Sequence, residues 1–315
     1  MRSLLMPLFT PARLKAMAPK FRAVADELIG RFPASGSVEF IGDYANPLAT
    51  LIITELLGIP AEDRPIFLEA FGQGTPAEIG ASVADIANNP LVAMGMRIAG
   101  YIAERRAEPR EDLLTQLALS RFPDGSEPTL EEAARVACFL FGAGQDTTVK
   151  LLGNSLRLLA ERQDLQAKVR AEPTRVPDFV EEMLRYEGSI RASHRLCQRS
   201  TEVCGYPIQA GTTVWIANLA VNRDPRRFAD PNTFDMDRPK LREHLAFGRG
   251  THTCAGAPLA RAETRLSLEL LLERFATITV DEGRHGPEGA RVFHYENSYV
   301  LRGLSELHLR LEEAR

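Results

Sequence analysis

The chain has 315 residues, 44% of them hydrophobic and 25% charged, with a formal net charge of −4 and a pI near 6.0. This is the composition of a soluble globular protein, long enough for one large domain or two small ones, and its slight acidity offers nothing to a nucleic-acid backbone. Four cysteines, Cys138, Cys197, Cys204 and Cys254, are widely spaced with no C-x-x-C pair, which excludes the usual zinc pattern and points to a reduced, cytoplasmic chain. Met1 to Phe9 is apolar, but Pro7 and Pro11 interrupt the segment. It is too short to span a membrane and lacks a small-residue cleavage site.

Helical patterning dominates the chain. Leu14, Met17, Phe21, Val24 and Leu28 fall at helical spacing between Pro11 and Ile29, and Gly30 stops the run. A second apolar helix is expected over 46–57, ended by Gly58 and Pro60. Gly72, Gly74, Pro76 and Gly80 interrupt the next region and predict a mobile stretch between helices. Helices follow over 91–106 and 112–119. Thr129 and Glu132 form a capping box, and helix formers continue from there to about Arg162. Further helices are expected near 163–171 and 177–187. Beyond Gly188 the character changes to short strands around 202–203, 206–208 and 212–216, with turns at Gly205 and Gly211. Residues 222–242 read as ordered coil. The last helix begins near Cys254, and a strand pair is expected within 292–311, turning at Arg302-Gly303. The expectation is a mainly α fold with a small β portion.

Three constellations carry chemistry. The run Phe247-Gly248-Arg249-Gly250-Thr251-His252-Thr253-Cys254-Ala255-Gly256 sets one cysteine in a glycine-crowded loop, directly before a helix-forming stretch, Leu259 to Phe275. A thiolate there lies at a helix N-terminus, where unpaired N–H groups and the macrodipole favour negative charge. Gly248, Gly250 and Gly256 let backbone approach a large flat ligand closely, and His252 suits an anionic edge of it. These are the requirements of a haem held by a cysteine thiolate; a structural cysteine in a turn is the plain alternative. The second run, Gly142-Ala143-Gly144-Gln145-Asp146-Thr147-Thr148, puts two glycines inside a long helix at about 1 kcal/mol each. It suggests a local opening where a ligand meets the backbone, with an acid and hydroxyls able to relay protons. A kinked packing helix is its plain alternative. In the third, Glu182 and Arg185 share a helix face and by themselves predict only a modest ion pair.

The cysteine loop closely resembles the haem-binding loop of the cytochrome P450 family. The Gly142–Thr148 run resembles the oxygen-binding groove of that family's central helix, and Glu182-x-x-Arg185 matches its E-x-x-R motif, with Arg238 as the third member of the triad. The resemblance implies a cytochrome P450 fold over 1–315, as a single haem-thiolate domain binding haem b (iron protoporphyrin IX). It makes Cys254 the metal ligand and Asp146 and Thr147 the catalytic proton-delivery pair. Arg195 and His252 would hold the propionates, and Phe247, Gly248, Gly250, Gly256, Ala143 and Gly144 would contact the cofactor, Gly144 leaving room for dioxygen. Phe139, Phe141, Ala143, 190–193 and 298–300 would line the substrate pocket, and His244 fits the family pattern. Arg242, Arg249, Arg261 and Arg265 would dock an acidic electron donor or lie solvated on the surface.

The implied function is a monooxygenase that inserts one oxygen atom from O2 into an apolar small molecule, with electrons from a ferredoxin-type partner, no nucleic acid and no membrane. Met1 to Pro11 resembles the second half of the family's helix C and the stretch after it, so the chain is expected to lack the preceding N-terminal portion; Arg2 stands where a propionate-binding arginine falls. Two other readings remain: a peroxide-using haem enzyme, to which the Asp146–Thr147 pair is foreign, and a catalytically incompetent haem-binding or haem-free remnant.

Overall fold

Residues 2–5, 9–72 and 90–314 are described by a computed structural model. The glycine-interrupted stretch expected to be mobile lies mostly outside these residues, as does the side chain of Arg2. The first helices are α1 (Arg2–Leu5) and α2 (Pro11–Gly30), the latter capped by the Thr10 side chain on Arg13 N. Strand β1 (Ser35–Glu39) follows. Then α3 (Asn46–Leu57) ends at Gly58, whose φ of +82° makes it a left-handed C-cap. Next come α4 (Arg64–Gly72), α5 (Pro90–Ala107) and α6 (Leu113–Ala118), whose N-cap is Asp112.

The capping box predicted at Thr129 is present, and α7 (Leu130–Glu161) runs 32 residues from it. Helices α8 (Gln163–Ala171) and α9 (Val176–Glu187) complete the central layer. Two small antiparallel ribbons come next: β2 (Ser193–Leu196) pairs with β5 (Thr213–Ile216), and β3 (Thr201–Val203) pairs with β4 (Tyr206–Ile208). After α10 (Asn218–Val221) the chain runs as turns to α11 (Ala257–Arg274), β6 (Phe275–Val280), α12 (Glu282–His285) and β7 (His308–Glu313). Strands β1, β7 and β6 form one sheet in that order, with Val38 opposite Leu309 and Ile278 opposite Leu311.

The strand pair expected within 292–311 is not formed. Only isolated bridges, Tyr295 with Leu304 and Ile190 with Leu301, occur there, because β7 takes β1 and β6 as its partners. The core is one continuous apolar cluster around α7, to which α7 gives Leu152 and its neighbours give Leu48, Ile52, Ile98, Ile102, Phe179 and Leu268. Helix α7 is packed closely along one side. A Cβ on Gly144 would meet Ile53 Cδ1 at 3.0 Å, and one on Gly153 would meet Ile41 Cδ1 at 2.6 Å.

Candidate functional site

The cysteine loop is braced by its own backbone. Cys254 N donates to Phe247 O at 2.8 Å, Gly248 N to Leu245 O at 3.0 Å and Thr253 N to Gly250 O at 3.0 Å. Gly248 and Gly250 have φ of +66° and +72°, a region that L side chains rarely adopt, so glycine is required at both. Cys254 and His252 are exposed. Gly256 is the N-cap of α11, and Pro258 lies in its first turn, where a missing N–H costs nothing.

Behind the loop lies a buried charge cluster. His244 Nε2 meets Glu181 Oε2 at 3.0 Å, and Arg261 donates twice to the same carboxylate, at 2.5 and 3.0 Å. Arg261 also covers the Phe247 ring at 4.6 Å. Burial works against the charge on Glu181, but the hydrogen bonds from His244 and Arg261 outweigh it and hold the carboxyl down at about 2. Arg261 is therefore committed to the loop's foundation, which corrects its expected role as a docking arginine. Arg242 and Arg249 are exposed, and Arg265 is paired with Glu269 at 3.5 Å.

The E-x-x-R triad forms as expected, and it is buried rather than at the surface. Arg185 donates to both oxygens of Glu182, at 2.8 and 2.6 Å, and Arg238 reaches Oε1 at 3.2 Å. Arg185 also donates to the carbonyls of Asn222, Pro231 and Thr233, and Arg238 to those of Ala229, Asp230 and Thr233. Two guanidinium forks, each offering several N–H donors in a fixed plane, thus tie the long coil after α10 to α9.

On α7 the predicted opening is absent as a break, since the helix is continuous through 142–148. Thr147 Oγ1 donates to Ala143 O at 2.8 Å, the back-bonding that bends helices. Gly144 also has a packing reason, since a Cβ there would press on Ile53. Asp146 is paired with Lys150, a residue that sequence reasoning passed over. Phe139, Ala143 and Thr147 share one face at four-residue spacing, and Phe139 is 62% exposed. Phe141 points the other way, fully buried and stacked on Phe67 with centroids 5.3 Å apart, so it belongs to the core and not to a pocket wall.

Arg195 lies on β2, exposed, donating to His194 O at 2.7 Å. Strand alternation puts it on the opposite face from His194, which meets the Trp215 ring edge-on at 4.3 Å. Trp215 and Tyr299 are in turn 6.4 Å apart, and both are exposed. Two large aromatic rings therefore lie close together at the surface here.

This helical architecture, with its small ribbons and its cysteine loop before α11, is that of the haem-thiolate oxygenases. A substrate-free cytochrome P450 of Mycobacterium marinum superposes with a TM-score of 0.91 at 44% identity, covering 100% of this chain and 74% of that one. The family description "Cytochrome P450" matches residues 98–289. The monooxygenase PikC of Streptomyces venezuelae is 35% identical over 100% of this chain and 74% of its own length. The 6-deoxyerythronolide B hydroxylase of Saccharopolyspora erythraea is 32% identical over 99% of this chain and 75% of its own length. The chain belongs to the cytochrome P450 family, a family of haem-dependent oxidoreductases.

The residues present fit such a group. An exposed thiol stands in a rigid loop whose two positive-φ glycines keep side chains off its surface, and exposed aromatics and cations are available to cover a flat, dianionic ring system.

Proposed function

We propose that this protein is a haem-thiolate monooxygenase acting on an apolar small molecule, with Cys254 as the iron ligand. The observation that carries the reading is the exposed Cys254 in its hydrogen-bonded glycine loop ahead of α11. Bound there, haem b supplies activation of O2 by two electrons, so that one oxygen atom enters the substrate and the other leaves as water.

The chain's own residues do the rest. Cys254 holds the iron, and α11 favours its thiolate form through its N-terminal N–H groups. His252 and Arg195 would neutralise the propionates, and Phe247, Gly248, Gly250, Gly256, Ala143 and Gly144 would contact the ring. Thr147 Oγ1 spends its own proton on Ala143 O, so its lone pairs are left to accept from and hold a water. Asp146 supplies the acid that recharges that water. Phe139 and the 298–300 segment offer apolar contact to the substrate. A relative named for 6-deoxyerythronolide B and a neighbour in complex with corticosterone are consistent with that substrate class.

Electrons come from a ferredoxin-type donor met by Arg242 and Arg249. The same reading makes it a cytoplasmic enzyme built as a single haem domain over 1–315. Among the described residues no helix is long and apolar enough to cross a membrane.

The test is the visible spectrum of the reduced, haem-reconstituted chain under carbon monoxide. A strongly red-shifted Soret band that Cys254→Ala abolishes supports the reading. A histidine-type band, or no haem retained, overturns it and leaves the haem-free remnant.

A further inference from the structure

Lys150 is the least expected side chain in the molecule. It lies one helical turn after Asp146, is 1% exposed, and its ammonium sits between two carboxylates, Asp146 Oδ1 and Glu296 Oε2, the latter at 2.7 Å. Both partners reach solvent, their side chains being 35% and 42% exposed.

The pocket for the lysine stem is made by a glycine. A Cβ on Gly303 would fall 2.1 Å from Lys150 Cγ and 2.7 Å from its Cβ, so no other residue fits at 303 without moving the stem. The segment bearing Glu296 is in turn fastened in place. Glu296 N donates to Gly303 O at 3.0 Å, and Arg302 N to Ser189 O at 2.8 Å. Ser189 Oγ closes the circuit by donating to Thr147 O at 2.7 Å. A desolvated ammonium is tolerated only where it is paired, and here the pairing is built from three separate stretches of chain.

We propose that Lys150 is a positioning residue: it fixes the Asp146 carboxylate beside Thr147 and, through Glu296, ties it to the 296–303 segment. The inference rests on the reading of Asp146 as the proton-delivery acid. An acid on a half-exposed helix face has several rotamers; an ammonium anchored at both ends leaves it one.

The design also says which variants fold. Removing the lysine leaves two carboxylates that still reach water, whereas removing both carboxylates strands a buried charge. Lys150→Met is therefore the tractable variant, and Lys150→Arg the conservative one.

The experiment uses the holoenzyme with NADPH, ferredoxin reductase and a plant-type ferredoxin, without organic substrate, and measures hydrogen peroxide formed per NADPH consumed. O2 that takes up two electrons and two protons leaves as hydrogen peroxide. O2 that takes up two further electrons from NADPH and two further protons, delivered in time, leaves as two waters, so poorly timed protons shift the NADPH electrons toward peroxide. Asp146→Asn and Lys150→Met are both expected to raise the peroxide fraction about two- to five-fold, and Lys150→Arg to hold it near the parent value.

If Asp146→Asn raises the fraction and Lys150→Met does not, the positioning role is overturned while the function of Asp146 stands. If Asp146→Asn leaves it unchanged, the underlying reading falls. A second readout is independent of turnover: in urea unfolding, Lys150→Met and Asp146→Asn are expected to be non-additive, and additive effects would overturn the pairing. Should Lys150→Met fail to retain haem, Glu296→Gln at the solvent end is decisive, with a smaller rise in peroxide expected and no rise overturning the role.

Discussion

Glu263 on α11 lies buried beside Thr148 on α7, so the helix that follows the cysteine loop faces the residue next to Thr147. The carboxyl of Glu263 is 1% exposed, and its Oε1 has no partner. Burial raises it to about 8, the Thr148 hydroxyl opposing only in part.

That shift makes stability fall with rising pH. The folded state keeps the Glu263 proton up to about pH 8, whereas the unfolded chain gives it up near 4.5, so stability is fully present below 4.5 and declines through that window. Glu263→Gln is expected to remove the decline, gaining on the order of 3 kcal/mol at neutral pH and nothing near pH 4. Urea midpoints across pH 4–8 check this; equal gains at both ends would show that Glu263 gives up its proton alike in the folded and unfolded chain.

Glu181 works in the opposite sense. Its carboxyl is held at about 2, so the stability it contributes is present above its ordinary value of 4.5 and is lost as pH falls toward 2. Arg261→Met removes one of the groups holding it down. The acid-unfolding midpoint followed by circular dichroism is expected to move upward, and an unmoved midpoint would mean that His244 alone suffices.

The buried triad predicts a large loss. Glu182→Gln leaves Arg185 and Arg238 inside the protein without the carboxylate they share, a change that costs about 3–5 kcal/mol in buried pairs. Thermal unfolding of the variant reads it. A loss below ~1 kcal/mol would mean that the backbone carbonyls around the two arginines carry the charge by themselves.

Gly58 predicts a smaller, local one. Its φ is +82°, and a Cβ there would lie 2.3 Å from Asp112 Cβ. Asp112 both caps α6 and receives Arg105 Nε at 2.9 Å, while Arg105 also donates to Gly58 O. Gly58→Ala should cost at least about 1–3 kcal/mol in unfolding experiments, from the strained φ alone.

Much of this architecture is legible in the sequence where the signal is local. Gly58, Asp112 and the Thr129–Glu132 box mark helix ends because each satisfies backbone groups within a turn. The β3–β4 turn at Cys204-Gly205 is legible for the same reason, both residues having positive φ. Strands β1, β2 and β6 are not legible. Their partners are distant in sequence, and Phe275–Val280 follows Arg274, the last residue of α11, with no turn residue between them. Of the candidate site, the cysteine loop and the Glu182–Arg185–Arg238 contact follow from motifs. Lys150 does not, because a lysine among helix formers reads as solvated until Gly303, far along the chain, is seen to make room for it. Arg261 is illegible on similar grounds: its partner Glu181 lies on another helix.

The pairing of β1 with β7, with Phe40 N donating to Leu307 O at 2.8 Å, joins the chain's early and late parts. During synthesis, therefore, β1 cannot take up this pairing until β7 has emerged from the ribosome. The helices between them, built from short-range contacts, can form meanwhile, and closing that sheet is expected to be the slow, last event of folding.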